Sequence, residues 1–217
     1  LSVGLAAGLT MSVFAINAQT YDAFTGGKVG FDAVLGARGS QLQLVLNTVF
    51  HLETSPGNIP WTLYKDVESD PRVTLAIPYA VRDNYQGYRI VGTTTQMFTD
   101  FTYREGQGFV IKPGGRIFED TKKEAIVGYY VAEKLGMTVG STFQPYHGLQ
   151  FNERDKHKDE YTVVGIMEPT NGPSDRVVWI PIEGIYRMSG HVLRGTGTVY
   201  RATDDQPVPE EHREVRA

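Results

Sequence analysis

The stretch from Glu119 to Glu168 constrains the fold most, because its punctuation leaves few ways to lay it out. Ala125-Ile126-Val127 is a short, largely β-branched apolar run and reads as a buried strand. Gly128 is the turn into a helix. Leu135-Gly136 is a stop signal, since the residue just past a helix takes a left-handed conformation that glycine adopts without strain. Gly140, two residues before Thr142-Phe143, gives a tight turn into a second strand, and Tyr161 to Met167 forms a closing one. Thr121-Lys122-Lys123-Glu124 has the spacing of a capping box, which competes with a strand at Ala125; the short β-branched run favours the strand. The unit carries no obvious nucleophile and is built as a shape.

Outside this unit, Leu1 to Tyr21 carries no charge, and Leu1 to Ile16 is apolar or small throughout. At about 1.5 Å per residue such a helix approaches the roughly 30 Å hydrocarbon thickness of a bilayer. Three readings compete: most of a transmembrane helix, a signal peptide cut near Ala18, or a buried helix whose small residues Ser2, Gly4, Ala6, Ala7 and Gly8 suit close packing. Asn17 to Lys28 reads as a helical exit fraying at Gly26-Gly27. Gly30 to Gly39 reads as a strand ending in a glycine turn, and Leu42 to Phe50 as a second apolar strand or ribbon. Asn58 as N-cap and Pro60 in the first turn open a helix with Leu63, Tyr64 and Val67 on one face, which Asp70-Pro71 ends. Val73 to Val81 reads as a strand, Asp83-Asn84 as a turn and Gly87 to Gly92 as the hairpin partner. Pro169 to Pro173 is an exit turn, Val177 to Pro181 a strand, Ile182 to Met188 a short helix, Thr198 to Arg201 a further strand, and Asp204 to Glu211 an acidic exposed loop.

Composition narrows the function classes. A net charge of −4 gives no electrostatic footprint for nucleic acid. The absence of cysteine excludes disulfides, thiolate metal sites and a cysteine nucleophile. Gly36-Ala37-Arg38-Gly39 and Gly26-Gly27-Lys28-Val29 lack the spacing of a phosphate-binding loop, so no ATP site is encoded. No serine sits in a Gly-x-Ser-x-Gly elbow, and acid pairs such as Glu119-Asp120 and Asp204-Asp205 are adjacent and point apart. Of His51, His147, His157, His191 and His212, only the loop from His147 to Glu160 gathers ligand types, making His147, Glu153, Asp155 and His157 metal-ligand candidates. Against that, the spacing matches no closed zinc motif, Arg154, Lys156 and Lys158 repel a cation, and a solvated charged excursion is the preferred reading of the loop. Tyr85, Tyr88, Phe98, Phe101 and Tyr103 read as core and half-buried sheet residues, with a hydrophobic groove or dimer interface as the alternative.

The order of pieces in the central unit carries a resemblance: apolar strand, Gly128, a helix ending Leu135-Gly136, then Val139-Gly-Ser-Thr-Phe143, a polar loop, and Tyr161-Thr-Val-Val-Gly-Ile-Met167. It resembles the periplasmic core domain of MacB-type and FtsX-like ABC transporter permeases. Val91-Gly92-Thr93 matches a strand ending of that family, whereas Gln107 departs from its usual turn. The resemblance implies an α+β fold: a porter-like layer of β-α-β units from residues 22–105 and 169–217, with a smaller inserted β-rich, sabre-like subdomain at 106–168, preceded by the end of a transmembrane or membrane-proximal helix at 1–21. It further implies no enzyme activity and no cofactor in this chain. The expected partners are an ABC ATPase subunit, a second permease copy forming a dimer, the membrane and a periplasmic partner protein, without nucleic acid. The domain would sit on the periplasmic side of the bacterial inner membrane and transmit ATP-driven conformational change to export or release a substrate. The alternative from another class is a secreted or periplasmic ligand-binding module with a cleaved signal peptide.

Overall fold

The computed structural model describes residues 2–21, 30–104 and 106–187. The reading of Thr198 to Arg201 as a strand and of Asp204 to Glu211 as an exposed loop falls outside them, as do His191, His212 and most of the proposed exit after Tyr21.

The chain begins with helix α1 (Ser2–Tyr21). From residue 4 to 16 its side chains are exposed, including Leu5 at 77%, Leu9 at 70% and Phe14 at 71%. Apolar residues lie all around this helix, which is the pattern of a helix surrounded by other apolar matter and not of one half-laid on a core. Among the described residues no helix is long and apolar enough to cross a membrane by itself. Next come α2 (Gln41–Thr48) and α3 (Trp61–Glu68). The expected strand at 42–50 is therefore a helix. Leu42, Leu44 and Leu46 alternate as a strand would, but the Ser40 hydroxyl caps the Gln43 N–H at 3.4 Å and starts a helix that is half-buried, with Asn47 buried. The segment from Gly30 to Gly39 forms no strand; Phe31 instead stacks on Phe101 with ring centroids 4.3 Å apart. In α3 the N-cap is Pro60, not Asn58.

One sheet organises the rest. Its strands are β1 (Ala80–Tyr85), β2 (Tyr88–Thr93), β5 (Glu124–Val127), β6 (Thr142–Phe143), β7 (Tyr161–Ile166) and β8 (Val177–Pro181), in the order β1-β2-β8-β5-β7-β6. Between them lie α4 (Gln96–Thr99), the small ribbon of β3 (Thr102–Arg104) and β4 (Gln107–Gly108), and α5 (Tyr129–Leu135); α6 (Ile182–Arg187) follows β8. Parallel pairs join β2 to β8 and β5 to β7, while β5 runs antiparallel to β8. Within 106–168, β5, β6 and β7 lie in the same sheet as β1, β2 and β8, joined through the β5–β8 pair, while β4 pairs with β3 in the separate ribbon. The central unit forms as expected: Gly128 caps α5, and Gly136 closes it with φ at 63°.

Both faces of this sheet are buried, and the period-2 alternation of side chains sorts its residues between two cores. Ile90, Ala125, Val127, Val163, Val178 and Ile180 face one cluster with Val131 of α5 and Ile185 of α6. Val91, Ile126, Val164, Val177 and Trp179 face the other, packed with Met97, Phe98, Phe101, Phe109 and Phe118. The sheet aromatics are accordingly core: Phe98 and Phe101 are buried, Tyr103 stacks on Phe109 at 5.2 Å, and half-buried Tyr85 and Tyr88 pack on the first cluster.

The sheet also curls until its two edges meet. Three residues beyond β6, Tyr146 pairs with Asn84 of β1, its N–H donating to the Asn84 carbonyl at 2.8 Å and its carbonyl accepting the Asn84 N–H at 3.0 Å. The bridge covers the outer edge of β1 at Asn84.

Candidate functional site

The seam where the edges meet gathers the titratable groups. Asp83 and Asn84, expected in a hairpin turn, lie inside β1; the turn is Gln86-Gly87, whose positive φ angles of 51° and 84° suit a two-residue hairpin. Pairing between β1 and β2 slips one residue between Val81 and Asp83. Such a bulge re-aims the side chains that follow. Here it leaves Asp83 fully buried at the seam.

The 144–157 excursion supplies the other side. Tyr146 bridges Asn84 on one flank and Lys156 on the other, so His147 and His157 each follow a bridged residue. The His147 N–H donates to the Asp155 carbonyl at 2.7 Å, and the His157 N–H to the Pro145 carbonyl at 2.8 Å. The Asn84 amide donates to the carbonyls of Gly148 at 2.9 Å and Gln150 at 3.2 Å, pinning the loop to the strand. The Gly148 N–H in turn donates to Asp83 Oδ1 at 3.3 Å. His147 Nδ1 then lies 3.5 Å from Asp83 Oδ1 and His157 Nε2 3.6 Å from Asp83 Oδ2, with the two imidazole centroids 5.6 Å apart. One ligand atom from each residue lies within 4.8 Å of the other two. His157 is buried and His147 half-exposed, so the cluster has one solvent-facing side.

Of the four candidates drawn from the sequence, the structure brings together His147 and His157. Glu153 and Asp155 stand exposed on a single 3-10 turn (Glu153–Asp155), where the Asp155 carboxylate accepts from the Asn152 amide at 2.7 Å. The Asp155 contribution to the seam is its backbone carbonyl. Asp83 was missed because a polar Asp-Asn pair resembles a turn; the following Gln86-Gly87 was the signal that places it in a strand.

A further buried histidine lies elsewhere. His51, itself at a positive φ of 56°, packs parallel to Tyr79 and edge-on to Trp179, with centroids 6.3 and 5.6 Å away. Burial, aided by the nearby Arg89 guanidinium, lowers its pKa to about 4, so it is neutral near pH 7. Arg89 donates to the Leu52 carbonyl at 2.7 Å and ties this corner to β2. Asp175 is also buried: it accepts from the N–H and hydroxyl of Thr170 and from the Asn171 N–H, fixing the turn between β7 and β8.

Among curated proteins none matches the chain. Among solved structures, the extracellular domain of the noncanonical ABC-type transporter YknZ from Gram-positive bacteria is similar at 14% identity and a TM-score of 0.40, covering 69% of this chain and 72% of that one. Residues 1–217 match the MacB-like periplasmic core domain, and the chain belongs to that family.

Proposed function

We propose that this domain works as a mechanical element of an ABC permease subunit, carrying ATP-driven motion from the membrane to the periplasmic side so that a substrate is exported or released. Membership in the family makes the chain the extracytoplasmic domain of an ABC transporter permease, a transporter component and not a known enzyme. The observation that carries the proposal further is the joining of an uncharged helix, apolar on all sides and exposed along residues 4–16, to a sheet buried on both faces. A helix of that character gains stability by entering hydrocarbon, at roughly 25 cal/mol per Å² of apolar surface removed from water. A sheet with two packed cores moves as one body, because close-packed interiors transmit displacement instead of absorbing it. We read α1 as the membrane-proximal end of a transmembrane helix, residues 106–168 as the sabre-like part, the inner membrane as the setting, and an ATPase subunit and a second permease copy as the partners. ATP is hydrolysed in that separate subunit or domain, which matches the lack of a phosphate loop here.

The test uses the whole permease with its ATPase in lipid nanodiscs. Because these 217 residues contain no cysteine, Val110→Cys places one spin label per copy within the domain at a surface position. Pulsed dipolar spectroscopy between two copies should give distance distributions that differ by several ångströms between nucleotide-free and ATP-trapped states. Identical distributions in the two states would show that the domain does not take part in the cycle.

A further inference from the structure

We propose that Asp83, His147 and His157 form a binding site for a divalent transition metal of the zinc type, which bridges the two edges of the sheet where it closes. The inference stands apart from the transport reading, since it concerns only the seam.

Three observations carry it. The chemistry of the set is the first: two imidazoles and a carboxylate are borderline and hard ligands that together suit Zn²⁺, Co²⁺ or Ni²⁺. The spacing is the second. Ligand atoms about 2.0–2.1 Å from a tetrahedral zinc lie about 3.4 Å from one another; His147 Nδ1 is 3.5 Å from Asp83 Oδ1, His157 Nε2 is 3.6 Å from Asp83 Oδ2, and one ligand atom from each of the three residues lies within 4.8 Å of the other two. Side-chain rotation toward a common point would draw the three atoms from within 4.8 Å to that spacing. Burial is the third: Asp83 is fully buried and His157 nearly so, and a buried carboxylate is costly to hold charged unless cationic or hydrogen-bonding groups face it. A divalent ion would add a cation beside the groups that already face Asp83, the Gly148 N–H among them.

The surroundings fit as well. The backbone around each ligand is held by hydrogen bonds, at the β1 bulge, at His147 to Asp155, and at His157 to Pro145. These bonds fix the backbone from which each ligand projects, which lowers the ordering cost of binding. Half-exposed His147 marks the entry side, so water fills the fourth position. The ion would connect β1 to the loop between β6 and β7 and thereby lock the closed sheet.

The experiment takes the 217-residue chain, purified in mild detergent and stripped with a chelator, and titrates it with Co²⁺ and then Zn²⁺. The expected result is one equivalent of Co²⁺ with the intense visible absorption of a tetrahedral site, displaced by one equivalent of Zn²⁺. Zn²⁺ at a hundredfold excess over its Kd should raise the melting temperature by about 5–10 °C. His147→Ala, at a half-exposed position that leaves the core intact, should weaken binding at least tenfold, and Asp83→Asn should do the same if that variant folds. Glu153→Gln and Asp155→Asn should bind as the parent does. Absence of a tetrahedral Co²⁺ spectrum at millimolar metal, or binding that His147→Ala leaves unchanged, overturns the proposal.

Discussion

Lowering the pH from 7 to 5 should cost this fold about 2 kcal/mol through His51 alone. Burial between Tyr79 and Trp179, together with Arg89, lowers the folded-state pKa from 6.5 to about 4. The unfolded chain takes up a proton on this imidazole as pH falls through 6.5, and the folded chain does not until pH approaches 4. Between those values the unfolded state binds more protons, so stability falls with pH at about 1.4 kcal/mol per unit. The loss reaches about 2 kcal/mol at pH 5 and about 3 kcal/mol below pH 4, where it levels off. Carboxylates titrate in the same range, so the comparison must be with a variant that lacks only this group. His51→Asn retains a residue tolerant of positive φ and removes the titration. The assay is urea unfolding followed by far-ultraviolet circular dichroism at pH 7 and pH 5. The parent should lose about 2 kcal/mol more than His51→Asn between the two. Equal losses in parent and variant would mean that His51 is not held neutral, and the burial argument would fail.

Two glycines separate backbone strain from close approach. Gly136→Ala meets no atom within 4 Å but must hold a φ of 63°, so it should cost about 1 kcal/mol and be partly relieved in Gly136→Asn. At Gly128 the backbone carbonyl groups of Ser174 and Asp175 would lie 2.5–2.7 Å from an added Cβ. Gly128→Ala should therefore cost about 2–3 kcal/mol, with a thermal melt showing the larger loss; equal losses would contradict the reading. Asp175→Ala strands the N–H and hydroxyl of Thr170 and the Asn171 N–H, and should destabilise by about 3 kcal/mol by chemical unfolding. A loss below 1 kcal/mol would show that water replaces the carboxylate there.

The parts of the fold legible in the sequence are those set by local chemistry. Ala125 to Val127, Gly128, Leu135-Gly136 and Val177 to Pro181 announce their conformations through β-branching, glycine placement and apolar runs, and the structure forms each of them. The strand misread at Leu42 to Phe50 shows a limit of the same logic, because alternation over a few residues fits either conformation until Ser40 is recognised as a cap. Strand pairing is a non-local matter. Nothing in the order of strands says that β5 lies between β8 and β7, or that Tyr146 reaches round to Asn84. The candidate site inherits this. Its two histidines lie in one loop and were visible, while Asp83 is more than sixty residues away and joins them only because the sheet curls. Glu153 and Asp155 seemed equivalent by proximity in sequence, but the 3-10 turn directs them to solvent.

The central claim, an extracytoplasmic domain hung from a lipid-embedded helix, is tested most directly by labelling. In intact cells carrying the full permease, single cysteines at Leu9 in α1 and Leu52 after α2 are treated with a membrane-impermeant maleimide. The account predicts that Leu52→Cys is modified in intact cells and that Leu9→Cys is modified only after detergent dissolves the bilayer. Rapid labelling of Leu9→Cys in intact cells, at the rate seen for Leu52→Cys, would contradict it, as would a Leu52→Cys protected until the cells are broken.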